Sequence, residues 1–450
     1  MYDLIIIGSG PAGYVAAIRA AQLGMKIAII EKDRIGGMCL NWGCIPSKSI
    51  LESVKLYNKI QKDALRYGVE GIDKSALSFN WDKAVLRADQ NVKKLTQGIE
   101  FLLKKNGAEI INASAKIIDT NTVSVENRTI NAKNIIIAIG STSPMIESEI
   151  ENLVIEPMDV FKPRILPDNI IVVGEGPVAI ELTQAFSLIG KKVSMVLEKD
   201  NFMPLADTYL SNYMQAKLKK DRIKLFDNKG DVSIKDDYKD GVLRVGGEEI
   251  PCGLIINARH RKANSLSSDI EFELENDYIK VDENFETSVE GIYAIGDVNG
   301  KSHFAHIASA EGLFVVNRLN GVNEKIDLSK IPMNMYSQPE AAQIGQTESK
   351  LKEMGVDYKI SEFPLSANGK AITENSGEGF IRILSENKYG EVLGVQIIAN
   401  NATDMINEAA AYMQLESTVY DIAKTVHTHP TISEVFMEAG FEAVDHAIHK

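Results

Sequence analysis

A strand, a glycine-rich turn, a helix and a second strand follow one another at the start of this 450-residue chain, and the same order returns after residue 169. In the first copy, the strand-like runs Leu4–Ile7 and Lys26–Ile30 flank the turn GSGPAG (residues 8–13) and the alanine-rich segment Ala12–Leu23. Continuous apolar runs are typical of strands that are buried on both faces of a parallel sheet. The pattern therefore predicts an α/β fold with two dinucleotide-binding βαβ units.

A glycine-rich turn ahead of a helix suits a pyrophosphate. Glycine permits the tight turn and lets the backbone approach the phosphates, while the helix N-terminus presents N–H groups with partial positive charge. The carboxylate of Glu31, at the end of the second strand, is placed to accept hydrogen bonds from ribose hydroxyls. A structural glycine turn that binds nothing is the alternative. The predicted nucleotide contacts of this unit are Gly8, Gly10, Pro11, Ala12, Gly13 and Glu31.

The second copy has the turn GEGPVA at residues 174–179, with alanine in place of the third glycine. It lies between the strand Ile170–Val173 and the helix Ile180–Ile189, and the strand Val193–Leu197 follows. An acid after the second strand disfavours a 2′-phosphate, which favours NAD over NADP. A turn that binds nothing is again the alternative. The predicted contacts are Gly174, Gly176 and Glu198.

Cys39 and Cys44 are separated by four residues and follow Glu31 closely. Two thiols at this spacing can close a small redox-active disulfide. If Cys44 lies at a helix N-terminus, its thiolate is stabilised there. No second Cys/His pair with ligand spacing accompanies them, so no metal is expected. Two unrelated buried cysteines are the remaining alternative. The isolated Cys252 is expected to be a small core residue.

The segment HTHPTISE (residues 427–434) combines histidine with a carboxylate. Histidine moves a proton near neutral pH, and a neighbouring carboxylate fixes its tautomer and raises its basicity. His429 with Glu434 is therefore the predicted base that deprotonates an incoming dithiol. The alternative is a pair of surface histidines at the start of a helix near Ser433.

Composition excludes several classes of partner. The chain has 49 basic and 62 acidic residues and a net charge of −13, which disfavours a nucleic-acid partner. Its apolar runs are strand-length, far short of the roughly 18 residues that a membrane helix needs. The start MYDLIII lacks a basic region, so no signal peptide and a cytoplasmic location are expected.

The motifs GSGPAG, GGMCLNWGCIPSK (residues 36–48), YAIGD (293–297) and HTHPTISE occur in this order in the flavin-dependent pyridine nucleotide–disulfide oxidoreductases. The chain resembles this family over essentially its whole length. The resemblance implies two Rossmann-like dinucleotide-binding domains, for FAD and NAD, and a C-terminal α+β dimerisation domain. The implied divisions are an FAD-binding domain with the redox disulfide (1–145), an NAD-binding domain (146–262), a central domain completing the FAD site (263–331) and an interface domain (332–450).

The resemblance also implies residue roles. Cys44 is the thiol that faces the flavin, and Cys39 is the outer thiol that exchanges with substrate. Lys48 and Glu181 match the family's ion pair beside the isoalloxazine, where the cation stabilises the reduced anionic ring. In this family the histidine comes from the partner subunit, which implies a homodimer. The other implied flavin contacts are Lys48, Gly140, Asp297 and His306.

Within the family, the CIPSK ending and the first helix are most similar to members that oxidise dihydrolipoamide. This implies that a protein-bound dihydrolipoyl group, in a 2-oxoacid dehydrogenase or glycine-cleavage complex, reduces the Cys39–Cys44 disulfide. The electrons then pass through FAD to NAD⁺. Two alternatives stay open: a reductase of another small disulfide, of glutathione type, using NAD(P)H, and a non-catalytic redox-sensing flavoprotein.

Four places depart from the family's pattern. Ile139 and Met38 stand where threonines are usual, and Leu197 stands where the second unit usually has its acid. The family's GRxPN loop reads ARHRKAN at residues 258–264. Three of these departures touch regions associated with FAD packing or NAD docking, and the altered nucleotide loops motivate the non-catalytic alternative.

Overall fold

The computed structural model describes residues 1–146, 148, 153–198, 202–227, 233–235, 241–245, 247–323 and 325–450. The described residues form two compact units. The first consists of Met1–Ile170, Ile234–Val242 and Pro251–Ile326, and the second of Ile171–Ser233, Leu243–Ile250 and Asp327–Lys450. The division into four domains at residues 145, 262 and 331 stays a prediction.

The first part of the chain begins with a strand–helix–strand unit and continues with helices and then a run of strands. In order, they are β1 (Tyr2–Ile7), α1 (Pro11–Gln22), β2 (Ile27–Glu31), α2 (Gly37–Trp42), α3 (Cys44–Asp63), α4 (Trp81–Lys105), β3 (Glu109–Asn112), β4 (Ala115–Ile117), β5 (Thr122–Val125), β6 (Arg128–Ile137), β7 (Ser141–Thr142), β8 (Val154–Ile155) and α5 (Pro157–Val160).

The middle of the chain begins with a second strand–helix–strand unit. Its elements are β9 (Asn169–Val173), α6 (Gly176–Leu188), β10 (Lys192–Leu197), α7 (Thr208–Lys220), β11 (Lys224–Asp227), β12 (Ser233–Lys235), β13 (Gly241–Val245), β14 (Glu248–Cys252), β15 (Leu254–Asn257), β16 (Lys262–Ala263), β17 (Leu274–Glu275), β18 (Tyr278–Ile279), β19 (Ile292–Ala294) and α8 (Ala305–Leu319).

The C-terminal part mixes strands and helices. Its elements are β20 (Met333–Met335), β21 (Glu340–Gly345), α9 (Glu348–Glu353), β22 (Tyr358–Pro364), α10 (Gly369–Thr373), β23 (Phe380–Glu386), β24 (Val392–Ala399), α11 (Ala402–Gln414), α12 (Val419–Lys424) and α13 (Glu434–Val444).

A parallel sheet of order β3-β2-β1-β6-β19 forms the centre of the first unit. Its register pairs Ile7 with Ile30 and with Ile137, and Ile137 with Ala294. Four strands therefore end at one edge of the sheet, which is where ligands bind in open α/β sheets. Leu4, Ile6 and Ile136 are buried under α1 and α8, and Ile5 and Ile135 are buried on the opposite face, so the prediction of strands buried on both faces is confirmed.

Helix α8 packs closely on α1 because both present small residues. A Cβ added to Gly312 would lie 2.7 Å from the carbonyl oxygen of Ala12 and 3.3 Å from the Ala16 side chain. Even one methyl group at residue 312 is too large for this contact. The packing holds the N-terminal turn of α1 in place beneath the carboxyl edge of the sheet.

In the second unit, β10 and β11 are parallel, and the N–H of Gly174 donates to the Val196 carbonyl at 2.9 Å. Helix α6 begins at Gly176, four residues before the predicted start at Ile180. Pro177 lies in its first turn, where the missing N–H would have no partner within the helix.

The C-terminal part of the second unit is an antiparallel sheet of order β20-β21-β24-β23-β22. Helices α11 and α13 cover it through apolar residues such as Ile406 and Phe436. This is the α+β domain that the sequence predicts. In the described part of the chain, no helix is long and apolar enough to cross a membrane.

Candidate active site

The first glycine turn has room for a phosphate group. At two of its positions, no residue larger than glycine fits. Gly8 has φ +101°, and a Cβ there would lie 2.3 Å from the Ala138 carbonyl oxygen. A Cβ on Gly13 would lie 2.0 Å from the carbonyl oxygen of Gly8. By contrast, a Cβ on Gly10 would meet no described atom within 4 Å, and no described side chain caps α1. The uncapped N–H groups and the open space fit a pyrophosphate.

Glu31 is fastened to this turn. Its Oε2 accepts hydrogen bonds from the N–H of Ser9 at 2.9 Å and from the Ser9 hydroxyl at 2.6 Å, and its Oε1 accepts from the N–H of Asp33 at 2.9 Å. The residue is 8% exposed. A carboxylate has about four acceptor positions, so capacity for a ribose hydroxyl is left. The placement is compatible with the predicted nucleotide contact.

Two further turns lie at the same sheet edge, after β6 and β19. Gly140 has φ +73° and precedes Ser141, whose hydroxyl donates to Asp297 Oδ2 at 2.5 Å. Asp297 lies in a 3₁₀ turn, Gly296–Asn299, directly after β19. The geometry brings together Gly140 and Asp297, two predicted flavin contacts that are far apart in sequence. His306, the other such residue near this turn, is exposed in the first turn of α8.

The cysteine segment is held against the first glycine turn. Gly37 has φ +57°, and a Cβ there would lie 2.6 Å from the Cα atom of Gly10. Helix α2, which carries Cys39, therefore starts in contact with the turn. Cys44 is the first residue of α3, a helix of 20 residues. Partial positive charge at a helix N-terminus stabilises a thiolate, and the structure meets the condition under which the sequence expects this for Cys44.

The surroundings of Cys39 oppose its ionisation. The hydrogen bond to Cys44 raises the pKa of the Cys39 thiol, burial raises it further, and the positive charge of Lys48 acts in the opposite direction. The Cys39 thiol therefore keeps its proton near neutral pH. Lys48 lies one helical turn after Cys44, on the same face of α3.

Glu181, the predicted partner of Lys48, is 5% exposed in α6, and its Oε1 accepts a hydrogen bond from the N–H of Tyr336 at 2.9 Å. Lys48 belongs to the first unit and Glu181 to the second. The ion pair between them stays a prediction.

The second glycine turn also needs its glycines, since Gly174 has φ +133° and Gly176 has φ +78°. A Cβ on Gly176 would meet no described atom within 4 Å. Glu198 directly follows β10, while the preceding Leu197 is 2% exposed and belongs to the core. Glu198 thus lies one residue later than the usual position of the acid, which Leu197 occupies, as the sequence indicates. The contact of Glu198 with a ribose stays a prediction.

The two histidines of the HTHPTISE segment have different environments. His429 is 79% exposed, and its Nδ1 donates to Glu434 Oε1 at 2.9 Å. The other oxygen of Glu434 accepts from the N–H of Thr431 at 2.8 Å. Burial raises the pKa of Glu434, but the hydrogen bonds from Thr431 and His429 outweigh it, and the pKa is lower than usual. The arrangement leaves Nε2 of an accessible imidazole as a base.

His427 is instead a buried cation. Its Nε2 lies 2.6 Å from Glu408 Oε1 and its Nδ1 lies 3.0 Å from the Thr425 carbonyl oxygen. Both partners are acceptors, so both ring nitrogens must donate. The hydrogen bond to Glu408 raises the pKa of His427. His427 is therefore a structural neighbour, while His429 has the exposure that a base needs.

Glu311, which the sequence does not single out, lies directly behind the Asp297 turn. Its Oε2 accepts from the N–H of Gly296 at 2.6 Å and from the Asn299 amide at 2.9 Å. Among the described residues, its buried Oε1 has no hydrogen-bond partner. Burial raises the pKa of Glu311 to about 7, against the two hydrogen bonds. No sequence signal indicates this, because the residue lies within an ordinary amphipathic helix.

The described residues contain no cluster of three or more His, Cys, Asp or Glu side chains that fits a metal ion. Cys252 is 1% exposed, and its thiol donates to the Gly241 carbonyl at 3.2 Å, as expected of a core residue.

Family models match most of the chain. The model described as pyridine nucleotide-disulphide oxidoreductase matches residues 2–312, and that of the same family's dimerisation domain matches residues 331–440. The chain belongs to the pyridine nucleotide–disulphide oxidoreductase family. It is an FAD-dependent oxidoreductase with FAD and NAD as cofactors, and its dimerisation domain supports a homodimer. The two glycine turns and the cysteine pair fit these cofactors.

Relatives in this family are similar over their whole length. The dihydrolipoyl dehydrogenase of Bacillus subtilis is 34% identical, over 100% of this chain and 99% of that protein. The mitochondrial dihydrolipoyl dehydrogenase of Pisum sativum is 36% identical, over 99% of this chain and 92% of that protein. The crystal structure of LpdA from Mycobacterium tuberculosis has the same fold, with a TM-score of 0.89, 24% identity, and coverage of 97% of this chain and 98% of that one.

The raised pKa of Glu311 predicts a pH-dependent stability. An unfolded glutamic acid ionises near its model value of 4.5, whereas the folded residue holds its proton to about pH 7, so the stabilisation from the neutral acid is lost as the pH rises between these values. We expect Glu311→Gln, which stays neutral, to raise the thermal midpoint relative to wild type by at least ~2 °C more at pH 8 than at pH 5. Differential scanning fluorimetry at both pH values measures this.

Glu353→Gln is the control, because the Glu353 side chain is 68% exposed. Its effect should be the same at both pH values. If Glu311→Gln changes the thermal midpoint by the same amount at both pH values, the Glu311 carboxyl is not held neutral in the folded protein.

Proposed function

We propose that this protein is a dihydrolipoyl dehydrogenase, which oxidises protein-bound dihydrolipoyl groups and reduces NAD⁺. The observation that carries the proposal is the Cys39–Cys44 pair, held at the N-terminus of α3 and against the first dinucleotide-binding turn. Relatives of that name match the chain over its whole length and support the choice of substrate.

The disulfide exchange is assigned to Cys39 and Cys44 as follows. In the oxidised enzyme the two sulfurs form a disulfide, and a thiolate of the substrate attacks the Cys39 sulfur and releases the Cys44 thiolate. The second substrate thiol then attacks the mixed disulfide, which closes the lipoyl disulfide and releases Cys39. The substrate loses two electrons and two protons, and the cysteine pair gains the electrons. Bound FAD would supply the two-electron redox chemistry that links the cysteine pair to NAD⁺.

The ionisation of the reduced pair is part of the same assignment. We assign the negative charge to Cys44, because a helix N-terminus stabilises a thiolate and the hydrogen bond to Cys44 raises the pKa of Cys39. In the second exchange Cys39 leaves as a thiolate and then takes up a proton, which its raised pKa favours. Lys48, on the next turn of α3, adds a positive charge beside the same pair.

His429 is the base in this proposal. The exposed imidazole takes a proton from the incoming dithiol at Nε2 while Glu434 holds Nδ1–H at 2.9 Å. In a homodimer, His429 of one subunit serves the cysteine pair of the other. Glu434 is a positioning residue, because it contacts the histidine and not the substrate.

The remaining predicted contacts complete the assignment. We assign FAD to the first unit and NAD to the turn of the second unit, with domain divisions at residues 145, 262 and 331. Lys48 and Glu181 pair beside the flavin. The proposed cofactor contacts are Gly8, Gly10, Pro11, Ala12, Gly13, Glu31, Lys48, Gly140, Asp297 and His306 for FAD, and Gly174, Gly176 and Glu198 for NAD.

The partner of the homodimer, in this proposal, is the lipoyl-bearing protein of a 2-oxoacid dehydrogenase or glycine-cleavage complex. A net charge of −13 suits a protein partner and opposes a nucleic acid. A cytoplasmic location is part of the same proposal.

Steady-state kinetics test the substrate. We expect the purified protein to oxidise dihydrolipoamide with NAD⁺, and to reduce glutathione disulfide with NADH or NADPH at least about 10²-fold more slowly. NAD⁺ should be preferred over NADP⁺, because Glu198 repels a 2′-phosphate. Faster turnover of glutathione disulfide would overturn the substrate assignment, and no turnover with any pair would favour a redox-sensing role.

The cysteine roles predict a spectroscopic difference. Anaerobic addition of one equivalent of NADH or dihydrolipoamide should produce a long-wavelength charge-transfer band between the Cys44 thiolate and the flavin. We expect Cys44→Ser to lose this band and Cys39→Ser to keep it, since Cys39 is the outer thiol. Cys252→Ser is the control and should behave as wild type, because Cys252 is a core residue. A band that survives in Cys44→Ser would reverse the assignment.

The base assignment predicts a large kinetic effect. His429→Gln should lower the rate of dihydrolipoamide oxidation by about 10²–10⁴-fold, the usual contribution of a general base, and should leave the band formed with NADH intact. His446→Gln removes another exposed imidazole of the same unit, 88% exposed, and should have no effect on the rate. Equal rates for the two variants would exclude His429 as the base.

A further inference from the structure

The loop with the sequence ARHRKAN, where the family has GRxPN, is fastened to the turn after β6. Residues Lys262–Ala263 pair in antiparallel fashion with Ser141–Thr142. The side-chain amide of Asn264 donates to the Ile139 carbonyl at 2.7 Å. The loop therefore has one defined position at the carboxyl edge of the first sheet, beside the Asp297 turn.

Arg261, from this loop, contacts the residues around Asp297. Its Nε donates to the Ser141 hydroxyl at 2.7 Å, and a terminal nitrogen donates to the Ser141 carbonyl. The same Nε lies 3.8 Å from Asp297 Oδ2, which also accepts the Ser141 hydroxyl. The hydroxyl of Tyr278 donates to the Arg261 carbonyl at 2.6 Å and fixes the backbone.

The guanidinium and the carboxylate are both largely removed from solvent, with side chains 22% and 23% exposed. Arginine does not lose its proton in proteins, so Arg261 stays a cation. Burial lowers the pKa of Arg261, and the negative charges of Asp297, Glu156 and the Cys44 thiolate counteract this. The acid that the flavin would contact is therefore half of a largely buried ion pair.

We propose that Arg261 is a positioning residue that neutralises Asp297 and thereby raises the reduction potential of the bound flavin. This rests on the proposed function in one respect, the binding of FAD at the Asp297 turn. Reduction of the ring by two electrons with uptake of one proton adds one negative charge. An unpaired carboxylate in contact with the flavin's ribityl chain opposes that charge, and the guanidinium reduces the opposition.

The sequence of the loop makes this a property of this chain. If Ala258 and Arg259 correspond to the first two positions of GRxPN, Arg261 stands at the proline. A proline has no charge and no donor to offer to Ser141 or Asp297. The departure thus replaces an uncharged residue with a cation that the structure aims at the flavin site.

Anaerobic titration of the purified flavoprotein with dithionite, in the presence of a reference dye, measures the potential. We expect Arg261→Gln, which keeps a donor for Ser141 but removes the charge, to shift the equilibrium towards oxidised flavin at least tenfold, ~30 mV for a two-electron couple. Arg261→Lys should restore most of the shift. Lys262→Gln is the matched control and should match wild type, because Lys262 is 59% exposed and pairs with Asp277.

Equal potentials in wild type and Arg261→Gln, or equal shifts in Arg261→Gln and Lys262→Gln, would overturn the proposal. If Arg261→Gln does not retain flavin, the dissociation constant of FAD from each apoprotein is measured instead. If only Arg261→Gln binds FAD more weakly than wild type, the positive charge at residue 261 is needed for the flavin site. If Arg261→Lys binds FAD as weakly as Arg261→Gln, the proposal is overturned. Turnover of dihydrolipoamide by wild type, measured in parallel, tests the proposed function separately, since it does not depend on the potentials of the variants.

Discussion

The contact between Gly37 and Gly10 is the constraint on which the site depends. The Cα of one glycine occupies the space that a side chain on the other would need, so the redox helix and the dinucleotide-binding turn are held at backbone-to-backbone distance. The position of Cys44 follows from this, because α2 is short and α3 begins two residues after it ends. Packing alone therefore places Cys44, at the N-terminus of α3, near the edge of the sheet that binds phosphates. No cofactor contact is needed for this arrangement.

Residues from distant parts of the chain form this edge of the sheet. The sequence predicts the individual strands and turns better than it predicts which of them meet. Strands such as β1 and turns such as 8–13 were predictable, because an apolar run ending in glycine has few other structures available. The start of α6 was wrong by four residues, since Gly176 and Pro177 read as turn residues although both suit a first helical turn. The sequence predicts the stabilisation of the Cys44 thiolate only on the condition that Cys44 begins a helix. In the structure, Cys44 is the first residue of α3.

Other features need tertiary structure. The sequence selects His429 with Glu434 as the base but does not indicate the surroundings of His427. In the structure His427 lies buried between Glu408 and a carbonyl, whereas His429 lies exposed beside Glu434. The loop at 258–264 was recognisable as a departure, whereas the direction of the Arg261 side chain was not. Burial and long-range partners decide these roles, and neither has a local sequence signal.

The charges around the Asp297 turn show a consistent arrangement. Asp297 is paired with Arg261 through Ser141, and Glu311, which binds the preceding N–H, has a pKa raised to about 7 by burial. A buried carboxylate is costly unless it is paired or protonated, and each acid here uses one of these solutions. Lys48 adds a cation on the side of the cysteine pair. Because Asp297 is paired and the raised pKa of Glu311 favours its neutral form, these acids contribute little net negative charge to the site. A thiolate and a reduced cofactor there therefore do not meet the repulsion that two free carboxylates would impose.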